Sequence, residues 1–210
     1  GGTAAFLDIP AQVHGRAVPV DAVDCGDRVS MNSASMGMDA AVAQKMVRYK
    51  NLPLVSGPMS YNLAIADVFC HRIGVDLHVV MDTPDGPVER RGRYFFALAA
   101  CARFYGGGYC GAPGALVDDG LLDFVVVPAV SRLTILTLIG KYAKGGAGDI
   151  PRILLRRGRE MHVACERADR INLDGEELVD SELSVRVSAK KVNFFFPEGT
   201  HWIPEKRVRN

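Results

Sequence analysis

Val75-Asp76-Leu77-His78-Val79-Val80 alternates apolar and polar residues and runs into Asp82-Thr83-Pro84-Asp85-Gly86-Pro87. Val88 to Arg91 and the apolar run Tyr94-Phe95-Phe96-Ala97-Leu98-Ala99-Ala100 follow. A period of two places one set of side chains on each face of a strand, and a Pro/Asp/Gly cluster between two such runs is a turn. The stretch predicts a hairpin that leads into a buried strand.

Working outward, strands are expected at Val18 to Asp24, Val29 to Ser35, Leu122 to Val127, Met161 to Cys165, Asp169 to Leu173, Leu183 to Val187 and Val192 to Phe196. Helical spacing of apolar residues occurs in Asp39 to Arg48, Tyr61 to His71 and Ser131 to Lys144, the last with Gly145-Gly146 as its stop. Many short strands separated by turns and few helices predict a mainly β fold, an antiparallel β-sandwich with peripheral helices. No internal repeat occurs, and the only linker-like pieces are Lys50 to Pro58 and Gly145 to Pro151. One domain is expected over residues 16–210.

With 210 residues, 48% of them hydrophobic, the chain can bury a sizeable core. A formal net charge of +1 gives no electrostatic basis for binding nucleic acid. Arg152, Arg156, Arg157 and Arg159 form a local basic cluster. It reads either as a solvated loop or helix end, or as a contact for anionic lipid head groups. Five cysteines without a Cys-x-x-Cys pair fit reduced thiols in a cytosolic protein, and five scattered histidines lack zinc-ligand spacing. The apolar stretches from Leu121 to Val130 and from Leu133 to Ile139 are interrupted or too short to span a bilayer, so membrane contact is expected to be peripheral.

Gly106-Gly107-Gly108-Tyr109-Cys110-Gly111 satisfies Gly-x-Gly-x-x-Gly literally. The dinucleotide fingerprint needs its last glycine to open a helix, whereas Ala112-Pro113-Gly114 follows here, so the segment reads as a bend between strands. Two further turns carry carboxylates. Ile171-Asn172-Leu173-Asp174-Gly175-Glu176-Glu177 ends a strand in Asp-Gly, by itself the pattern of an ordinary hairpin corner with solvated acids, and a place where a carboxylate could also be held as a proton acceptor. Asp118-Asp119-Gly120-Leu121-Leu122-Asp123 is another tight corner, and a bent loop with a carboxylate and outward carbonyls also suits a hard cation such as Mg²⁺.

The order of these segments resembles the C-terminal domain of the diacylglycerol kinase catalytic family, bacterial lipid kinases related to sphingosine and ceramide kinases. Val18-Pro19-Val20-Asp21, then Ser30-Met31-Asn32, then Ser35-Met36-Gly37-Met38-Asp39-Ala40 are similar to the family's opening run. Gly106-Gly107-Gly108, Ala112-Pro113, Asp118 to Asp123 and Leu173-Asp174-Gly175-Glu176 follow in family order, from about Val18 to Pro197. The family often has Asn-Gly before its glycine loop where this chain has Ala102-Arg103.

The resemblance implies a substrate-side domain of an ATP-dependent lipid kinase acting on diacylglycerol or a similar alcohol. Asp174 would be the general base and Glu176 a supporting carboxylate. A structural Mg²⁺ would be held by Asp119 and the main-chain carbonyls of Leu116 and Leu121. The family's Gly-Gly-Asp-Gly-Thr phosphate loop and Gly-Thr-x-Asn-Asp-Phe segment are not in the sequence. Residues 1–15 are therefore expected to be a junction with a nucleotide-binding domain, and the chain alone is expected to be inactive. A lipid substrate, a peripheral membrane surface in the cytoplasm and a homodimer are the expected partners. A non-catalytic β-sandwich that binds lipid or a partner protein is the alternative.

Overall fold

The computed structural model describes residues 3–53, 55–71 and 74–200. Its centre is one antiparallel sheet of nine strands. The predicted hairpin is β5 (Val75–Thr83) and β6 (Gly86–Ala100), in register from Val75 opposite Tyr94 to Thr83 opposite Gly86. The far half of β6 pairs with β4 (Ser33–Gly37), Ser33 opposite Ala100 and Gly37 opposite Phe96.

Both β4 and β5 also pair with β11 (Glu160–Leu173), β4 along Ile171 to Leu173 and β5 along Glu160 to Cys165. They therefore lie end to end in one slot between β6 and β11. The chain leaves that slot after Gly37, forms α2 (Met38–Lys50) and α3 (Gly57–His71), and re-enters at Val75. Gly37 has φ +114°, and a Cβ there would meet the Phe95 carbonyl at 2.6 Å, so the exit requires glycine.

The sheet continues past β6 through β9 (Leu122–Pro128) to β10 (Leu154–Gly158), and past β11 through β12 (Glu176–Val187) to β2 (Val23–Asp24) and β3 (Val29–Ser30). Its inner face buries one continuous cluster, including Val79, Met81, Phe124, Val126, Met161, Val163 and Val185. Val23 of β2 and Leu154 of β10, from opposite ends of the sheet, both pack in that cluster, so the sheet curls around it as the halves of a sandwich do. The mainly β antiparallel architecture expected from the sequence is present.

The outer face carries the helices. Met38, Val42, Tyr61, Ala64 and Val68 pack on Phe95, while Tyr105, Ala112 and Ala115 pack on Leu98, Ala100 and Val125. A third helix, α4 (Arg132–Ala143), starts at Ser131, whose hydroxyl accepts the Thr134 N–H, and stops at Gly145 in the left-handed conformation. At the N-terminal end, α1 (Ile9–Val13) and β1 (Arg16–Val20) lie against β13 (Val192–Phe196), with β1 and β13 paired antiparallel. The Glu198 N–H donates to the Ala11 carbonyl at 2.8 Å.

Three sequence expectations differ in detail. Val18 to Asp24 and Val29 to Ser35 are each broken into two short strands. The two expected strands between Met161 and Leu173 are one strand with a register shift between Ala164 and Asp169. The arginine cluster, read as a solvated loop or helix end, contains β10. In register, Arg157 stands opposite Asp123 of β9, an opposite-charge cross-strand pair that places the arginine in the sheet.

Candidate active site

The turn joining β11 and β12 is the two-residue pair Asp174-Gly175, with φ of +51° and +102°. Positive φ at both positions is the primed hairpin turn whose twist matches its strands. Gly175 donates its N–H to Asn172 Oδ1 at 2.8 Å, which braces the corner.

The Asp174 carboxylate is directed at the backbone of residues 31–33. Oδ1 accepts the Ser33 N–H at 2.9 Å and the Asn32 N–H at 3.1 Å, while Oδ2 accepts from Asn32 at 3.2 Å and from Met31. Three backbone N–H groups, that of Asn32 shared between both oxygens, thus occupy about three of the roughly four acceptor positions of a carboxylate. The return bond runs from the Asp174 N–H to the Ser33 carbonyl at 3.2 Å. Asn32 carries the tie onward, its Nδ2 donating to the Phe104 carbonyl at 3.0 Å.

A second carboxylate lies in the same pocket, one that sequence reasoning left unassigned. Asp39, in the first turn of α2, is 7% exposed and lines the pocket with Asn32, Asn172 and Asp174. Its Oδ2 accepts from Ser35 Oγ at 2.7 Å and from Asn172 Nδ2 at 3.5 Å. Burial raises its pKa above the ordinary carboxylate value, against the opposing effect of those two bonds. The signal available in the sequence was a carboxylate set between Met38 and Ala40 on a helix whose first turn is otherwise apolar.

Asp39, Tyr61 and Tyr105 also line a neighbouring apolar cavity. It holds about 110 Å³ and is walled by side chains such as Val42, Ile65, Phe69, Phe96 and Val127. The lining has the apolar character of a small-molecule site, in a smaller volume. Tyr105 and Tyr142 meet there with hydroxyls 3.0 Å apart, and burial raises both phenols above their ordinary pKa. The glycine run lies beside this wall. Gly106–Gly108 is a single 3₁₀ turn between β7 (Phe104–Tyr105) and β8 (Tyr109–Cys110), and a Cβ on Gly106 would meet the Tyr61 hydroxyl at 2.7 Å. The run is a close-packed bend, as expected, and no helix opens from it.

The family described as the YegS C-terminal NAD kinase beta sandwich-like domain matches residues 32–196. The chain belongs to this family. A probable lipid kinase YegS-like protein of Pseudomonas aeruginosa is 28% identical over 190 residues, covering 89% of this chain and 59% of that protein. Its counterpart in Stenotrophomonas maltophilia is 34% identical over 96 residues, covering 45% and 31%. Among solved structures, a putative diacylglycerol kinase from Bacillus anthracis aligns with a TM-score of 0.55 at 16% identity, over 82% of this chain and 53% of that one. At that identity the likeness shows the fold. The chain thus spans about three-fifths of the length of the first of these relatives.

Two other site expectations meet different surroundings. Glu176 points to solvent, 78% exposed at its side chain, with Arg28 3.6 Å away, and it does not line the carboxylate pocket. The Asp118 to Asp123 turn, expected to hold Mg²⁺, is already neutralised by two cations. Asp119 Oδ1 accepts the Leu121 N–H at 3.1 Å, and its Oδ2 lies 3.4 Å from Arg157. Arg157 also binds Asp123 at 2.9 Å and donates to the Gly114 carbonyl. Lys191 meets the buried Asp21 at 2.7 Å and the Asp118 carbonyl at 3.3 Å. A divalent ion on Asp119 would share its carboxylate with a guanidinium, so the donor set as arranged does not fit the metal. Among the described residues no cluster of three or more His, Cys, Asp or Glu side chains is placed to hold a metal ion.

Proposed function

We propose that this chain is the acceptor-side domain of an ATP-dependent lipid kinase whose acceptor is diacylglycerol or a similar long-chain alcohol. The observation that carries the reading is that Asp39, Tyr61 and Tyr105 line both the carboxylate pocket and the adjoining apolar cavity. An acyl chain in the cavity would leave its polar end among carboxylates. The acceptor oxygen would then form a bond to the γ-phosphorus of ATP as the bond to ADP breaks, and its proton would pass to a carboxylate. Phosphoryl transfer asks the protein mainly for positioning, charge neutralisation and that proton acceptor.

Asp174 is the acceptor that the family likeness points to, and the loop it holds would shape the site around the hydroxyl. ATP would be held by a phosphate-binding loop in the domain that residues 1–15 are read as joining. We take the protein to work in the cytoplasm, at a membrane surface reached peripherally. Among the described residues no helix is long and apolar enough to cross a membrane.

The test is transfer of radiolabel from [γ-³²P]ATP to dioleoylglycerol in mixed micelles by the natural full-length protein. Labelled phosphatidate is the expected product, and the 210-residue chain alone should form none. Micelle binding without transfer by the full-length protein would favour the second reading, a non-catalytic lipid-binding module. That reading draws on the three backbone donors that already hold Asp174.

A further inference from the structure

Two phenols meet in the wall of the apolar cavity. Tyr105, at the end of β7, and Tyr142, in the last turn of α4, have their hydroxyl oxygens 3.0 Å apart. The chain makes room for them. A Cβ on Gly111 would run into the Tyr105 ring and would meet the Tyr142 hydroxyl at 2.8 Å, so the rings come together because residue 111 has no side chain. Phe96 packs edge-on against Tyr142, ring centroids 6.2 Å apart, and helps to hold that ring in place.

Two hydroxyls carry two protons, and the bond between them uses one, whichever phenol donates. Among the described residues their hydroxyls make no other hydrogen bond, so one O–H is left without an acceptor. Burial raises both phenols above their ordinary pKa, which keeps both protons in place at neutral pH. A buried phenol ordinarily finds a partner for its O–H. The position of the pair narrows what that partner is: Tyr105 lines both the carboxylate pocket and the cavity, whereas Tyr142 lines the cavity alone. The spare proton therefore stands where polar surroundings give way to apolar ones. A ligand that completes it must carry an acceptor between a polar end and an alkyl chain. In a diacylglycerol the ester carbonyl holds that place. An alkyl ether offers only a weaker acceptor there, and a bare hydrocarbon offers none.

Resting on the lipid-kinase reading, we propose that the Tyr105–Tyr142 pair donates its spare O–H to an ester carbonyl of the acceptor lipid, and so selects acyl lipids over their alkyl ether analogues. One phenol donates to the other and the second to the carbonyl, each bond polarising the next. A site built to hydrogen-bond a ligand group discriminates against the analogue lacking it, because the protein group is then left unpaired.

The experiment uses the 210-residue chain, with 1,2-dioctanoylglycerol and 1,2-di-O-octylglycerol as probes and NMR shift titration as the readout. Both probes keep the free hydroxyl and the chain length, and they differ in the carbonyls. Wild type should bind the ester about 2- to 10-fold more tightly than the ether, the net worth of one hydrogen bond. The double variant Tyr105→Phe/Tyr142→Phe keeps both rings and should bring that ratio close to one while still binding the ether. Either single variant releases the remaining phenol from the mutual bond, leaves it a proton to donate, and should retain part of the preference. A pair that only holds α4 against β7 would weaken both lipids alike in the double variant and leave the ratio unchanged, which would overturn the inference. A second measurement needs no variant: in the infrared spectrum one ester carbonyl of the lipid bound to wild type should absorb at lower frequency than the same ester in alkane, and two unshifted carbonyls would overturn the inference. Equal binding of ester and ether by wild type would overturn it while leaving the lipid site standing. Failure of wild type to bind either compound would overturn the lipid reading, and this inference with it.

Discussion

Ser33 and Asp174 are tied in both directions: the Ser33 N–H donates to Asp174 Oδ1 at 2.9 Å, and the Asp174 N–H donates to the Ser33 carbonyl at 3.2 Å. The hairpin corner of β11 and β12 is thereby fastened to the start of β4, residues 141 positions apart in the chain. One carboxylate serves as both clamp and proposed proton acceptor, and its substitution should report on both.

Asp174→Asn puts a carboxamide where three amide N–H groups converge. Losing charge-assisted bonds of this kind costs about 1–3 kcal/mol, which lowers Tm by roughly 2–12 °C in a chain of this size. In the full-length protein the rate at saturating lipid should fall about 10²–10⁴-fold, the usual contribution of a positioned base. Glu177→Gln, which loses an exposed pair with Arg170 at 2.7 Å, is the matched control and should change stability by less than about 1 kcal/mol. A near wild-type rate in Asp174→Asn would leave Asp174 as a clamp alone.

Asp39 gives a pH dependence of stability. Its folded pKa is raised by burial above the model-peptide value of 3.8. A group shifted upward contributes stability that is complete below its unfolded pKa and is lost as pH rises through its folded pKa. Asp39→Asn does not titrate, so urea melts should show it gaining on wild type from about pH 4 toward neutrality. The other ionisable groups lining this pocket are Tyr61, Tyr105 and Asp174. Both phenols are shifted upward, away from this range, and Asp174→Asn measured in parallel accounts for the remaining carboxyl. A stability difference independent of pH would show that Asp39 does not titrate in the folded state as described.

Arg157 bridges Asp119 and Asp123 in the acidic turn. Addition of Mg²⁺ should leave the Tm of wild type unchanged. Arg157→Ala frees Asp119 and Asp123 of their shared guanidinium and should cost about 1–3 kcal/mol. Mg²⁺ should recover part of that loss, because a ion bound only by the native state stabilises it by mass action. A rise in wild-type Tm that Asp119→Ala abolishes would show instead that the ion displaces Arg157.

The sequence carried the fold where one face of a strand is buried and the other wet. Alternation from Val75 to Thr83 located β5, and the apolar run ending at Ala100 located the buried half of β6. It failed at β10, where Arg156 and Arg157 in succession hide the alternation: one is exposed and the other turns to Asp119 and Asp123. It split β11 because a bulge between Ala164 and Asp169 interrupts the register.

The site was legible in part. Asp-Gly at 174–175 announced a hairpin corner, since few other pairs accept positive φ twice in succession. That Asp174 would be filled by amides from residues 31–33 depends on a contact between distant segments, which no local pattern encodes. Glu176 was grouped with Asp174 by proximity in sequence, but alternation along β12 turns it to solvent. Asp39 was hidden for the converse reason. A carboxylate at a helix start ordinarily faces water, and only the packing of α2 and α3 on the sheet encloses this one.

Placement of the acceptor lipid is the central claim, and photo-crosslinking tests it most directly. A diacylglycerol with a diazirine near the end of one acyl chain, irradiated with the 210-residue chain and analysed by peptide mass spectrometry, should label the cavity wall at Val42, Ile65, Phe69, Val127 or Ile153. Excess unlabelled dioctanoylglycerol should suppress that labelling. Labels confined to the exposed apolar residues Leu7, Ile9 and Val13, with the cavity wall unmodified, would contradict the account.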